Sequence, residues 1–252
     1  MIKKILYSVC CFLATVCLFA QEKTDPNFHL YLLVGQSNMA GRAAPDSISK
    51  IVDPHVWMLD KNNEWVPATD PVHFDKPNVA GIGPAISFAK AMIGNDKKIN
   101  IGLIPCAWGG SPIRVWQQDS VYLETAHPYD DAVKRTKIAM QKGVLKGILW
   151  HQGESDNNPA GAVVYMDKLK TLIKHFRSEF NNPNLPFVAG EIGYFGKTDL
   201  VNKVIDSLPE NVSHTAVVSA KGLTDKGDKT HFDAASAREL GIRYAEAMKK
   251  LK

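Results

Sequence analysis

Short apolar runs separated by amphipathic stretches lay out the plan of this chain. Runs at His29–Val34, His55–Leu59, Ile99–Pro105, Gly147–Trp150, Pro186–Gly190 and Thr215–Ser219 are strand-length and predict buried strands. Between them, apolar residues recur every three or four positions, which predicts helices over Pro84–Ile93, Tyr129–Lys142, Ala162–Phe180, Asp199–Leu208 and Ala234–Lys250. In the third of these, Val163, Met166, Leu169, Ile173 and Phe176 form one expected apolar face; in the last, Ala237, Leu240, Tyr244, Ala247 and Met248 do. Asp233 precedes that final helix as its expected N-cap. Strands alternating with amphipathic helices imply an α/β fold whose parallel sheet is covered on both faces. No repeat, low-complexity tract or long linker interrupts the pattern, so one domain is expected over residues 24–252.

Sheets of this kind hold ligands just beyond the carboxyl ends of their strands, so chemistry is expected in the loops that follow the strands. The run Leu30–Val34 stops at Gly35-Gln36-Ser37-Asn38, which is how a strand delivers one hydroxyl to a tight turn. It resembles the strand-to-helix elbow of serine hydrolases, with Met39 where that pattern places its second glycine. After Pro105 comes Ala107-Trp-Gly-Gly-Ser-Pro112, whose adjacent glycines let backbone N–H groups approach a ligand. After Trp150 comes His151-Gln-Gly-Glu-Ser-Asp156, six polar or small residues that are costly behind a buried strand unless they bond to one another or to a substrate. Gln152 is a candidate neutral donor to an oxyanion, and Glu154 a candidate brace. Asp228-Lys-Thr-His231 precedes the last helix; a carboxylate three residues before a histidine can fold back onto Nδ1 and leave Nε2 for a serine.

Composition narrows the class. The formal net charge is +4 over 252 residues, too small and too dispersed to argue for a nucleic-acid or membrane-surface partner. Met1–Ala20 carries Lys3 and Lys4 ahead of an apolar run and reads as a secretory signal peptide, so the mature protein is expected to be exported, to a periplasm or beyond the cell, and not held by a membrane. Cys10, Cys11 and Cys17 would leave with that segment and Cys106 alone would stay, which excludes an intramolecular disulfide. The histidines lack the i, i+4 pairing of a zinc helix, and no phosphate loop or dinucleotide fingerprint is present, so no metal or nucleotide cofactor is expected.

Four blocks together carry a resemblance: Gly35-Gln-Ser-Asn-Met-Ala-Gly-Arg42, Trp108-Gly-Gly-Ser-Pro-Ile113, Trp150-His-Gln-Gly-Glu-Ser-Asp156 and Asp228-x-x-His231. In this order they resemble the sialate O-acetylesterase and acetylxylan esterase group, carbohydrate esterase family 6 and its relatives within the SGNH hydrolases. The resemblance implies a three-layer α/β/α sandwich with a mainly parallel, flavodoxin-like sheet, and cofactor-free hydrolysis of O-acetyl groups on an acetylated carbohydrate. Carried over by position, it implies Ser37 as nucleophile, His231 as general base and Asp228 as the residue that orients it. It further implies an oxyanion hole from the N–H groups of Ser37 and Gly110 and the side chain of Gln152. Glu154 is a rival to Asp228, which is preferred for its i, i+3 spacing. Trp108, Arg114 and Trp116 flank the Gly-Gly loop as candidate sugar-binding residues, through ring stacking or a carboxylate pair; Trp116 has an alternative reading as a packed core residue. A lipid esterase or thioesterase on the same scaffold, and a noncatalytic carbohydrate-binding protein, are the competing readings.

Overall fold

A computed structural model describes residues 24–196 and 199–251; the expected signal segment, Met1–Ala20, lies outside them. The first strand, β1 (Phe28–Gly35), is apolar from Leu30 to Val34 because both of its faces are covered. Tyr31 and Leu33 enter one core, while Leu30, Leu32 and Val34 enter the other, the two-residue alternation of a strand buried on both sides. A four-residue helix, α1 (Ser37–Ala40), follows at once.

The remaining elements are β2 (Val56–Leu59), β3 (Trp65–Pro67), α2 (Ala85–Ile93), β4 (Asn100–Pro105), α3 (Pro128–Ala139), β5 (Val144–His151), α4 (Pro159–Glu179), β6 (Phe187–Gly190), α5 (Leu200–Asp206), α6 (Leu208–Asn211), β7 (Thr215–Val218) and α7 (Ala234–Lys250). They form one sheet in the order β3-β2-β4-β1-β5-β6-β7. All pairings are parallel except that of β3 with β2. The chain builds to one side of β1 with β2, β3 and β4, then crosses to the other with β5, β6 and β7. That reversal opens a crevice at the carboxyl end of β1. Helices cover both faces: α2 and α7 pack over Tyr31, Leu33, Ile101 and Leu103, and α3, α4 and α5 over Leu32, Ile148, Trp150 and Phe187. The fold is the three-layer α/β/α arrangement expected from the sequence.

The differences from expectation are local. The edge strand β3 is three residues long and ends in Pro67, too short to leave a periodic signal. The stretch Asp199–Leu208 is two helices, α5 and α6, with Ser207 between them and Pro209 in the first turn of the second. Val163 does not join the core: it is 82% exposed, and the buried stripe of α4 runs through Tyr165, Leu169, Leu172, Ile173 and Phe176. Tyr165 wins that place because its hydroxyl meets the buried Trp150 Nε1–H at 3.1 Å. On α7 the expected face is buried at all five positions, and the Asp233 side chain caps the helix through the Ser236 N–H.

Gly35 has φ +127°, and a Cβ built on it would lie 2.1 Å from the carbonyl oxygen of His151 on β5. Only glycine lets the two central strands meet there. Gly35→Ala should therefore destabilise the fold by about 3 kcal/mol or more, read as a loss of midpoint in urea unfolding followed by circular dichroism.

Candidate active site

Four of the loops that follow strands converge at the crevice. Ser37 opens α1, its Oγ 3.0 Å from His231 Nε2. His231 Nδ1 is 2.7 Å from Asp228 Oδ2, and the His231 backbone N–H donates to the other carboxylate oxygen at 2.8 Å. Asp228 also accepts the Thr230 N–H and pairs with Lys226 Nζ at 3.0 Å. Burial alone would push the Asp228 carboxyl up, but these donors, the His231 ring first among them, outweigh it and hold the group well below the usual carboxylate range. An ionised Asp228 keeps the proton on His231 Nδ1 and so turns the lone pair of Nε2 toward the serine. A turn centred on Lys229, closed by the Lys226 N–H donating to the His231 carbonyl, bends the loop so that two residues three apart can meet.

The cleft over Ser37 has a volume of about 540 Å³. Gly110, at φ +82°, lines it, and neither its N–H nor that of Ser37 donates to any group among the described residues. The neighbouring Gly109 N–H is committed to Asp75 Oδ2 at 2.8 Å, and Asp75 in turn pairs with Arg42 at 2.6 Å.

Gln152 does not stand where it was expected. Its side chain is wholly buried, and its NH₂ group faces Asp156 Oδ2 at 2.6 Å, the Ser111 carbonyl at 3.1 Å and Gln36 Oε1 at 3.2 Å. Two hydrogens surrounded by three acceptors leave nothing for a ligand. What Gln152 does is orient Gln36, whose Oε1 accepts from Gln152 and from the Ser155 N–H at 3.3 Å. With its oxygen held from that side, Gln36 lines the cleft together with Ser37 and Gly110. The signal for this was already present in the residue directly before Ser37.

The remaining candidates separate. Glu154 lines the cleft but bonds to Asn38 at 2.5 Å and makes no hydrogen bond to His231 among the described residues, so it is not the residue that orients the ring. Trp116 is 2% exposed, packs edge-on against Trp150 with centroids 5.2 Å apart, and donates its Nε1–H to Ser111 Oγ at 2.9 Å. It is a core residue and cannot stack on a sugar. Arg114 is exposed and lies off the cleft wall. Trp108, half-buried, lines a neighbouring cavity of about 260 Å³ with His73, Phe74 and Arg135.

A family model described as carbohydrate esterase, sialic acid-specific acetylesterase matches residues 27–250. The chain belongs to that family. An Arabidopsis thaliana protein named a probable carbohydrate esterase is 33% identical over 249 residues, covering 90% of this chain and 92% of the relative. Its crystal structure superposes with a TM-score of 0.77 at 34% identity, over 90% of this chain and 99% of that one. The structure of NanS is similar in fold, with TM-score 0.72 at 17% identity over 90% and 98% of the two chains. A carbohydrate acetylesterase from Xanthomonas citri matches with TM-score 0.69 at 20% identity, over 88% of this chain and 56% of that longer one. As a member of the carbohydrate esterase family, this protein is a carboxylic ester hydrolase.

Trp116 supplies a check on the geometry. Trp116→Ala should cost about 3–5 kcal/mol, as the loss of a buried tryptophan does, measured by urea unfolding.

Proposed function

We propose that this esterase removes acetyl groups from carbohydrate hydroxyls by serine catalysis through an acetyl-enzyme. The observation that carries the proposal is the unbroken line Ser37 Oγ–His231 Nε2–Asp228 at 3.0 and 2.7 Å, opening on a cleft. His231 takes the proton of Ser37 as the hydroxyl attacks the acetyl carbonyl. The oxyanion meets the N–H groups of Ser37 and Gly110, with the Gln36 amide as the third donor. Ordering the donors beforehand spares the reaction the work of turning solvent dipoles toward the new charge. His231 then protonates the departing sugar alkoxide, and water attacks the acetyl-serine by the same route.

The walls of the cleft support a short acyl group on a polar alcohol. Among the described residues that line it, Val79 is the one large apolar side chain, whereas Arg42, Lys76, Lys226 and Ser155 supply polar contacts. A fatty acyl chain would find no apolar slot there, and its burial is what would make a lipid ester bind well. Sialic acid and xylan-type glycans are the sugar classes in view. The charged start and apolar run of Met1–Ala20 support action outside the cytoplasm.

Acetate release from acetylated xylan and from O-acetylated sialic acid, measured side by side, tests the reading. The protein should deacetylate at least one, and Ser37→Ala neither; full turnover by Ser37→Ala would overturn the serine mechanism. Gln36→Glu keeps the shape but replaces a donor with a charged acceptor. Its kcat should fall about 100- to 1000-fold while circular dichroism shows the fold retained.

A further inference from the structure

The residue after Ser37, Asn38, is 4% exposed, and the mechanism above uses none of its side chain. Asn38 Nδ2 donates to the Thr230 carbonyl at 3.0 Å and to Glu154 Oε1 at 2.5 Å, and its Oδ1 accepts the Phe232 N–H at 3.1 Å. The peptide groups on both sides of His231 are thus gripped by one side chain anchored next to Ser37. We propose that Asn38, held in orientation by Glu154, is a positioning residue that sets the His231 ring at its working distance from Ser37. This rests on the serine–histidine reading above.

The chemistry requires an amide of this length. The Thr230 carbonyl needs a donor and the Phe232 N–H needs an acceptor, so the two ends of the side chain must differ. Aspartate would point oxygen at oxygen toward both Thr230 and Glu154, and serine would reach neither. Glu154 decides which way the amide faces: its Oε1 accepts the Asn38 NH₂ end, and that donation opposes the burial that pushes the Glu154 carboxyl up.

His151 completes the cluster without competing for that end. The Tyr244 hydroxyl donates its proton to the Trp150 carbonyl at 2.7 Å, so the contact of 3.1 Å with His151 Nδ1 is a donation from the ring. The other ring nitrogen, Nε2, then bears a lone pair, buried and 4.0 Å from Glu154 Oε1. Glu154 therefore meets an uncharged imidazole on that side and spends its acceptor strength on Asn38. The carboxylate that the sequence offered as a rival partner of His231 acts on it at one remove.

The test uses two readouts on the full chain: the second-order rate at which a fluorophosphonate labels Ser37, and kcat and KM for acetate release. Asn38→Asp should label about 100-fold more slowly, as expected for a reacting group displaced by about 1 Å, with kcat falling in step and KM nearly unchanged. Adding Glu154→Gln places an amide opposite the new carboxylate and reverses the donor–acceptor pair. The double variant should regain about tenfold over Asn38→Asp alone, a rescue that a merely structural role would not yield. Should Asn38→Asp fail to fold, Asn38→Ala takes its place and should lose about tenfold or more in labelling.

Labelling of Asn38→Asp or Asn38→Ala within threefold of the parent would overturn the proposal, as would a folded double variant no faster than the single. A parent protein whose Ser37 is never labelled would overturn both the serine reading and this one. Labelling that follows the predicted order, without acetate release from either glycan, would overturn the substrate and uphold the positioning role.

Discussion

The site depends on the close approach of β1 to β5 at Gly35. With no side chain there, the backbone passes directly over His151, and the Gln36 N–H bonds to the His151 carbonyl at 2.8 Å. The Gly35 carbonyl, on its other side, accepts the Trp108 N–H at 2.9 Å from the loop after β4. One residue therefore pins three loops against one another: the elbow that carries Ser37, the glycine pair that carries Gly110, and the block from His151 to Asp156. A side chain at this position would separate the elements that carry Ser37, Gly110 and Gln36.

Convergence of this kind buries many polar groups, which is costly unless each finds a partner. Gln36, Asn38, Ser111, His151, Gln152 and Asp156 are all buried, and Gln152 links three of the others, its NH₂ group facing Gln36, Ser111 and Asp156. Asp156 accepts from both Gln152 and the Ile113 N–H, tying the loop after β5 to the loop after β4. The tryptophan and tyrosine side chains below continue the ladder: Tyr165 caps Gln152 Oε1 at 2.8 Å, and Trp116 reaches Ser111. These bonds hold the loops around the cleft in fixed orientation to one another.

The fourth loop, between β7 and α7, carries His231 and comes from the far edge of the sheet. Among the described residues no strand pairing joins β7 to β1, and Asp228 fixes only the orientation of the ring within its own loop. The bonds from Asn38 to residues 230 and 232 span 192 and 194 positions of sequence and supply the missing register. Two kinds of tether thus build the constellation. A local turn prepares the histidine, and a long-range amide brings it to the serine.

The chain's own pattern determined the strands, the helices and their α/β order, because burial on both faces writes continuous apolar runs and burial on one face writes a period near 3.6. It also marked the loops that carry Ser37, Gly110, Asp228 and His231, since each follows a strand end and the last two are linked within one turn. Which side chains of those loops face the cleft was decided by tertiary structure. Gln36 and Gln152 carry the same amide 116 residues apart, and which one is free depends on Asp156, Ser111 and Tyr165 closing around the other. Trp116 could equally have stacked on a ligand, until Trp150 came to lie against its edge. Local sequence records how apolar a position is and how it repeats along one element; the direction of a polar group is settled by partners that only folding brings within 3 Å.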